Sequence, residues 1–258
     1  GYEAEACSAL RSADFAVQVF QPQQVRAYAV FRLQRAKSDR LDARIIAQCM
    51  AELKELRAPP DPRLSGLAGH LTMIEQIEED IARAKIRREH AVGERATSHY
   101  KAEIRRLASQ RREELKLVEI AIRHHRDLAH NLDLVASIEG VGLRTAITII
   151  VRMPEMGSLS REKAASLLGV APFIRQSGRF EGERHVAGGR ARPRTALFAC
   201  AQAAIKWNPQ LAHFYKRLRD NGKHYSCAIM ACTRKLAIYI NIVLKRQTPW
   251  QPECQENP

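Results

Sequence analysis

The sequence predicts an α/β domain followed by a helical hairpin and a mainly α-helical domain. In residues 15–20 the side chains alternate as in a half-buried strand, and the stretches on both sides have helical spacing. From residue 63 to about 133, Glu, Arg, Lys, Ala and Leu dominate, and apolar side chains recur every three or four residues. From residue 134 onward, helical stretches alternate with Gly-rich interruptions. With 258 residues, 45% of them hydrophobic, the chain can build a sizeable core.

Residues 1–60 indicate the C-terminal part of the α/β domain. Helices are predicted over 3–11, 22–28 and 39–57, and the strand at 15–20 follows the first of them. Pro59 and Pro60 end the last helix because proline lacks the amide hydrogen that a helix interior needs. The other strands of the predicted sheet are not visible in the sequence.

Residues 61–133 predict an antiparallel coiled-coil hairpin with its turn near Gly93. The two helices must pair because each apolar stripe is too narrow to be stable alone. Residues 134–250 then form a second compact domain, whose last helix runs from 225 to about 245, and 251–258 form a polar tail.

The helical hairpin carries many basic residues on its outer face. These residues either contact nucleic acid or are only solvated: Arg83, Lys85, Arg87, Arg88, Arg105, Arg106, Arg111 and Arg112.

The charge of the chain indicates a polyanionic partner. Forty-two Lys and Arg residues against 28 Asp and Glu give a net charge of +14 and a pI near 9.9. Nucleic acid is the first candidate, bound through phosphate contacts and counterion release. A basic protein without such a partner is the alternative.

Composition also indicates the compartment. There is no run of roughly 18 uninterrupted apolar residues, and the start lacks the basic and then apolar layout of a secretory signal. A cytoplasmic protein is expected, and because the first residue is Gly1, the numbering is expected to begin inside a longer protein. Without a C-x-x-C pair or zinc spacing, the six cysteines are predicted to be reduced, mostly buried thiols: Cys7, Cys49, Cys200, Cys227, Cys232 and Cys254.

Asp39 and Asp42 are three residues apart where a helix is predicted to begin, in the run KSDRLDA at 37–43. This spacing places both carboxylates on one face, within reach of a single Mg²⁺. Such an ion would neutralise charge on an attacked phosphate. The alternative, which spacing alone favours, is a helix N-cap with an acidic residue that complements the helix dipole.

The run SIEGVGLRTA at 137–146 has the Gly-hydrophobic-Gly form of a helix-hairpin-helix. Gly140 and Gly142 would let backbone amides approach a nucleic-acid phosphate at a helix N-terminus. Ala146 is small enough for the second helix to pack. The alternative is an ordinary tight turn between helices, and neither interpretation identifies a reaction.

Residues 171–194 predict a flexible basic loop with four glycines and only two glutamates. Ser177 lies in it beside Gly178, so a phosphodiester held by the neighbouring guanidinium groups would lie next to a hydroxyl nucleophile. The alternative is an ordinary Ser-Gly turn, and no His-Asp relay is visible nearby. The candidate nucleic-acid-binding arginines of the loop are Arg175, Arg179, Arg184, Arg190, Arg192 and Arg194.

Seven short runs together resemble the IS110 group of bacterial insertion-sequence transposases. Their order and spacing agree with that family across most of the chain, whereas the hairpin agrees only in character. A single run would be weak evidence, but seven in sequence are specific. The runs are QQVR at 23–26, AKSDRLDA at 36–43, SIEGVG at 137–142, LGVAP at 168–172, QSG at 176–178, NP at 208–209 and FYKRL at 214–218.

The resemblance implies a RuvC-like domain of RNase H fold with four acidic metal ligands, a coiled-coil insert and a transposase domain that contributes a serine. It assigns the last two acidic positions to Asp39 and Asp42 and the serine to Ser177. It also implies Mg²⁺, donor and target DNA, a structured guide RNA, and a homo-oligomer, dimer or tetramer, that assembles active sites between protomers.

In one respect this sequence departs from the family's pattern. The family's first Asp and its Glu are expected before Gly1, and neither Glu3 nor Asp14 is assigned to replace them. The chain is therefore expected to bind nucleic acid but to recombine it poorly alone.

Three hypotheses follow. The first is a recombinase that moves its own element by cleaving and rejoining DNA strands. The second is a non-catalytic nucleic-acid-binding remnant of such an enzyme. The third is a RuvC-type junction nuclease, which would explain the Asp pair but not the Ser177 loop.

Overall fold

The computed structural model describes residues 3–34, 36, 38–54, 61–173, 176–177, 180–181, 185–186 and 188–251. These residues form helices α1 to α11 and four strands of two residues each. Internal contacts divide the chain into two units, residues 1–62 and 63–258. A mainly helical structure agrees with the predicted second and third regions, and the α/β character predicted for the first region is not seen in the described residues.

The first unit consists of α1 (Glu3–Ser12), α2 (Pro22–Phe31) and α3 (Asp39–Ala51). Helix α2 begins at Pro22, which suits a first helical position because its missing amide hydrogen would be unpaired there. Helices α2 and α3 pack together. Among the described residues of this unit, the buried apolar side chains are Ile45 and Cys49, both in α3.

Two predictions for this unit were wrong in detail. Residues 15–20 are neither helix nor strand, and 63% of Phe15 is exposed. A strand requires a hydrogen-bonded neighbour, and none is present within the described part of the unit. Helix α3 ends at Ala51 with Glu52 as its C-cap, several residues before the predicted end at 57, and Leu53 beyond it is 38% exposed.

The second unit begins with the predicted hairpin. Helix α4 (Pro62–Glu89) and helix α5 (Glu94–Arg123) are joined by a turn at Gly93, whose φ of +87° suits glycine. The helices are antiparallel, since Ile77 and Ile81 pack with Leu107, and His70 Nδ1 lies 3.9 Å from Glu114 Oε2. The structure therefore contains two antiparallel helices in this region, while the bounds of 61 and 133 for a separate coiled-coil domain stay a prediction.

Six further helices complete the unit: α6 (Arg126–Ala136), α7 (Leu143–Arg152), α8 (Arg161–Leu168), α9 (Ala191–Trp207), α10 (Pro209–Asp220) and α11 (Tyr225–Arg246). Asn208 separates α9 from α10, and its Oδ1 accepts a hydrogen bond from the Leu211 amide (3.0 Å) as the N-cap of α10. One continuous core joins these helices to the near ends of α4 and α5, through Leu71, Ile74 and Ile122. The hairpin therefore shares its base with the C-terminal helices.

Helix α11 is long and apolar enough to cross a membrane by length and composition alone. In its most apolar 18-residue window, however, 61% of the residues are buried within the protein. It packs against α8, α9 and α10. Its apolar composition is therefore accounted for by its place as the central helix of the core.

Between α8 and α9 the chain forms a β-hairpin. The strands are β1 (Pro172–Phe173), β2 (Gln176–Ser177), β3 (Phe180–Glu181) and β4 (His185–Val186). Strand β1 pairs with β4 and β2 pairs with β3, both antiparallel. Within its described residues, the predicted flexible loop thus contains paired strands.

The described cysteines are all free thiols, as predicted, and Cys49, Cys200 and Cys232 are buried. Cys227 is exposed. Burial raises the pKa of Cys232 to about 11, so this thiol stays protonated and unreactive at neutral pH.

Candidate catalytic and nucleic-acid-binding sites

Asp39 and Asp42 lie in the first turn of α3. The cap of this helix is Ser38, whose Oγ accepts a hydrogen bond from the Leu41 amide (3.4 Å). The hypothesis that Asp39 is the cap is therefore wrong. Within the described residues neither carboxylate has a hydrogen-bond or ion-pair partner. Both acidic groups are free for a ligand, although their place near the helix N-terminus also favours negative charge.

The residues of this turn fit a magnesium ion only in part. Mg²⁺ is commonly bound by one or two carboxylates, with water and substrate phosphate completing its shell. Asp39 and Asp42 supply such a pair. Across the described ranges, however, no group of three or more His, Cys, Asp or Glu residues is placed to hold a metal ion.

Ser177 lies at the end of β2, directly opposite Phe180 of β3, and Gln176 pairs with Glu181. Two residues therefore separate the paired ends, which places Ser177 next to the tip of the hairpin. The side chain of Ser177 and the whole of Arg175, Arg179 and Arg184 lie outside the described residues.

The two ends of the β-hairpin meet at its base. This base is formed by Gly169, Gly188, Gly189 and Arg194. A side chain on Gly169 would collide with the Gly188 carbonyl, and one on Gly189 with the Gly169 backbone. Arg194 Nη1 donates hydrogen bonds to Gly188 O (2.6 Å) and to Gly169 O (3.3 Å). The amide of Arg190 donates to Leu167 O (2.9 Å).

Arg190 is also bound within the protein. Its guanidinium makes two hydrogen bonds with Glu155, at 2.7 and 2.5 Å, and a third with Arg152 O (2.7 Å). Burial by itself would raise the pKa of Glu155, but the hydrogen bond from Arg190 and the Glu155 backbone amide outweigh it and lower that pKa. Such a bidentate pair fixes both side chains.

Arg192 belongs to a charged cluster where α4 meets α7 and α9. Glu75 Oε2 lies 3.1 Å from Arg152 Nη2 and 3.2 Å from Arg192 Nη1, and its Oε1 lies 3.8 Å from Arg144 Nη2. Arg144 also binds Glu78 with two hydrogen bonds, at 3.2 and 3.1 Å. Three guanidinium groups thus share two carboxylates.

Arg152 is the most enclosed member of this charged cluster, with 14% of its side chain exposed. Burial is the main cause that lowers its pKa, and Glu75 opposes that shift. Its Nε makes no hydrogen bond with a described residue. Arg192 is 51% exposed and therefore retains a face toward solvent.

The two glycines of the predicted helix-hairpin-helix have different surroundings. Gly140 has a φ of +87°, and a Cβ there would lie 2.6 Å from Ala204 Cα of α9. Its carbonyl accepts a hydrogen bond from Cys200 Sγ (3.3 Å). Gly142 is exposed at the N-cap of α7, and a Cβ there would meet nothing within 4 Å. Only Gly142 faces open space.

Sequence reasoning did not identify Glu75, Glu78 or Glu155 as partners of the candidate arginines. Glu75 and Glu78 lie one turn apart on α4, as many exposed acids of a charged helix do. Their partners lie at least 66 residues away along the chain, so no local spacing indicates the contact.

Comparison with known families gives two matches. A family model described as "Transposase IS116/IS110/IS902 family" matches residues 132–216. A second model, for DEDD transposases of the IS110 type and described as "Transposase", matches residues 1–94. The candidate serine lies within the first match and the candidate aspartates within the second.

Individual relatives agree with these matches. A protein of Streptomyces coelicolor named "Insertion element IS110 uncharacterized 43.6 kDa protein" is 32% identical over 110 residues, which cover 42% of this chain and 27% of that protein. The "Pilin gene-inverting protein" of Moraxella bovis is 26% identical over 245 residues, covering 93% of this chain and 76% of that protein. A protein of the same name from Moraxella lacunata matches to the same extent.

Proposed function

The chain belongs to the IS110 group of insertion-sequence transposases, and from this premise we propose that it is a DNA recombinase that moves its own element. It acts in the cytoplasm and cleaves and rejoins strands of donor and target DNA. Asp39 and Asp42 hold Mg²⁺, Ser177 is the nucleophile, and a structured guide RNA directs the choice of site.

The observation that carries this proposal is the pair of carboxylates at the start of α3. Asp39 is exposed and Asp42 is half-buried, and neither has a hydrogen-bond or ion-pair partner in the described part of the chain. Ser38 caps the helix and so relieves both acids of that role. When bound, Mg²⁺ would neutralise negative charge on a phosphodiester.

The chemistry assigned to Ser177 is a transesterification. Its Oγ forms a bond to phosphorus and loses its proton, the bond between phosphorus and one sugar oxygen breaks, and the released sugar hydroxyl takes up a proton. A covalent serine–DNA intermediate results. Arg175 and Arg179, which flank Ser177 in sequence, bind the phosphate oxygens and offset their charge.

Nucleic-acid binding is assigned to separate parts of the chain. Arg184 and the half-exposed Arg192 contact phosphates, and the exposed amides at Gly142 approach a backbone at the start of α7. Gly140 supports that turn by its contact with α9 and does not bind directly. The protein works as a homo-oligomer, dimer or tetramer, in which active sites are assembled between protomers.

The test uses the protein expressed from its intact element, with donor and target DNA labelled at one end. Ser177→Ala abolishes both recombination and the DNA adduct that resists denaturation, because no other hydroxyl replaces the nucleophile. Asp42→Asn abolishes strand cleavage and leaves RNA binding within about twofold, since a single neutralised carboxylate adds little to a polyanion contact.

Matched controls separate these roles from general damage. Ser166→Ala removes an exposed hydroxyl of α8, and Asp14→Asn removes an exposed carboxylate of the first unit. Both retain full recombination. An adduct of normal yield in Ser177→Ala contradicts the assignment of the nucleophile.

A second function, a non-catalytic nucleic-acid-binding protein of the same family, is favoured by one observation. Within the described residues, no third His, Cys, Asp or Glu side chain joins Asp39 and Asp42 in a group that could hold a metal ion. This alternative predicts that Asp42→Asn and Ser177→Ala bind RNA and DNA like the unaltered protein, which itself forms no adduct.

A further inference from the structure

Arg194 is one of six arginines in and beside the hairpin, but its surroundings differ from those of a phosphate contact. Its side chain is partly buried, and Nη1 is directed to two backbone carbonyls within the protein. One of these, Gly169 O, lies just before the hairpin, and the other, Gly188 O, lies just after it. A single guanidinium therefore joins the two ends of the segment that carries Ser177.

We propose that Arg194 is a positioning residue that holds the hairpin base closed and so fixes the place of Ser177. The proposal rests on the function proposed above, in which Ser177 attacks DNA. Arg194 acts through the backbone of the hairpin and touches neither the DNA nor the reacting atoms.

The glycines at the base support this role. Gly169 has a φ of +75° and ends α8 in the left-handed conformation, and Gly189 has a φ of +68°. A side chain on Gly169 would collide with the backbone of Gly188, and one on Gly189 would collide with the backbone of Gly169. The two backbones approach closely because both positions are glycine, and this approach brings both carbonyls within reach of one guanidinium.

The base also sets the start of the strand pairing. Three residues beyond Gly169, Pro172 of β1 pairs with Val186 of β4, and Phe173 pairs with His185. Strands of two residues have little stability of their own. Their register, and with it the position of Ser177 near the tip, depends on how the ends are held. A nucleophile must be placed to about 0.5 Å to react efficiently.

Arg192 is a matched control, because it lies on the same turn of α9 and carries the same charge. Its guanidinium contacts Thr72 Oγ1 (2.7 Å) and Glu75 of α4, and not the hairpin base. The two arginines thus separate loss of a positive charge near the hairpin from loss of the contact that holds it.

The first measurement is hydrogen exchange of backbone amides in the intact protein without DNA. Arg194→Met is expected to raise the exchange rate of the segment 170–187 at least tenfold and to leave α4 and α5 unchanged. Arg194→Lys restores part of the protection, since an ammonium group donates to one of the two carbonyls. Arg192→Met leaves the segment as it is. Unchanged exchange in Arg194→Met overturns the proposal.

The second measurement compares the rate of adduct formation with DNA affinity. A positioning role predicts that Arg194→Met lowers the rate at saturating DNA by about 10- to 100-fold, with the dissociation constant and its salt dependence unchanged. A direct phosphate contact predicts the reverse: weaker binding and a salt slope reduced by about one. That second pattern also overturns the proposal.

Failure of the proposed function is recognised separately. If the unaltered protein forms no adduct, the proposed function fails for this chain, and hydrogen exchange alone decides whether Arg194 holds the hairpin. Raised exchange in Arg194→Met with normal exchange in Arg192→Met then supports the structural half of the proposal.

Discussion

The two units of the chain differ in how they hold their candidate functional residues. In the described part of the first unit Ile45 and Cys49 are the buried apolar residues, while Val30, Phe31 and Leu33 expose 66%, 77% and 83% of their surface. In the second unit one core connects eight helices, and many of its side chains are completely buried. Within the described residues, Asp39 and Asp42 of the first unit have no partner, whereas Arg144, Arg152, Arg190 and Arg192 of the second unit are all paired with glutamates.

This difference shows where rigidity resides in the described chain. Burial of apolar surface contributes roughly 25 cal/mol per Å², so the second unit can support a hairpin, a charged cluster and a helical arm. The first unit has little buried apolar surface to hold α3 in place. The carboxylates of Asp39 and Asp42, which have no partner among the described residues, are therefore suited to being ordered by a ligand.

The largest expected difference is in the core. Leu132 is completely buried in α6, and Leu132→Ala is expected to lower the free energy of unfolding by about 2–5 kcal/mol. Phe31→Ala in the first unit removes a larger side chain that is mostly exposed, and its effect stays within about 0.5 kcal/mol. Urea denaturation followed by circular dichroism measures both. Equal losses would remove the contrast between the units.

A smaller loss is expected in the charged cluster. Glu75→Gln leaves Arg144, Arg152 and Arg192 close together with one carboxylate, Glu78, among them. Because Arg152 is mostly buried, the expected loss is about 2–3 kcal/mol. Glu79→Gln, at an exposed position of the same helix, is the control and should change stability by less than about 0.5 kcal/mol.

A smaller difference in stability is expected between substitutions at Gly140 and Gly142. Gly140→Ala places a methyl group 2.6 Å from Ala204 Cα at a positive φ, which is expected to cost about 1–3 kcal/mol. Gly142→Ala introduces no collision and has an ordinary φ of −81°. Thermal unfolding of the two variants should therefore differ by several degrees. If Gly142→Ala is the less stable protein, the turn is not held by its contact with α9.

The smallest effect depends on pH. The pKa of Glu155 is lowered in the folded protein, so its pairing with Arg190 stabilises the fold above the ordinary carboxyl pKa and is lost as pH falls through the lowered value. Both side chains are more than one third exposed, which limits the contribution to under about 1 kcal/mol. Denaturation between pH 3 and 6 should show this loss, and Glu155→Gln should remove that part of it.

Much of the second unit could be predicted from the sequence because its signals are local. Leu71, Ile74, Ile77 and Ile81 recur at helical spacing, and all four are buried along α4 as that spacing predicts. The turn at Gly93 and the long helix α11 follow from the same kind of pattern. Such periodicity reports which face of a helix is covered, and it does so without knowledge of the partner.

Contacts between distant segments could not be predicted. The alternation at 15–20 resembles a strand, but pairing depends on a neighbour that the pattern does not specify. Arg190, Arg192 and Arg194 form a basic run in sequence, yet the structure directs them to Glu155, Glu75 and two backbone carbonyls. The charges in a sequence predict the net electrostatic field of the protein. They do not distinguish an arginine that binds a ligand from one that pairs with another residue of the same chain.

The part of helix α4 beyond the charged cluster has a definite length. Beyond Glu75 and Glu78, helix α4 continues to Glu89 with only Ile77, Ile81 and Ala84 buried. From Ile77 to Glu89 the helix rises about 18 Å at 1.5 Å per residue, which is roughly the length of five base pairs along a DNA duplex at 3.4 Å per step. Val92, at the far end, is 94% exposed. The far end of the helical hairpin therefore lies about 18 Å from the charged cluster at its base.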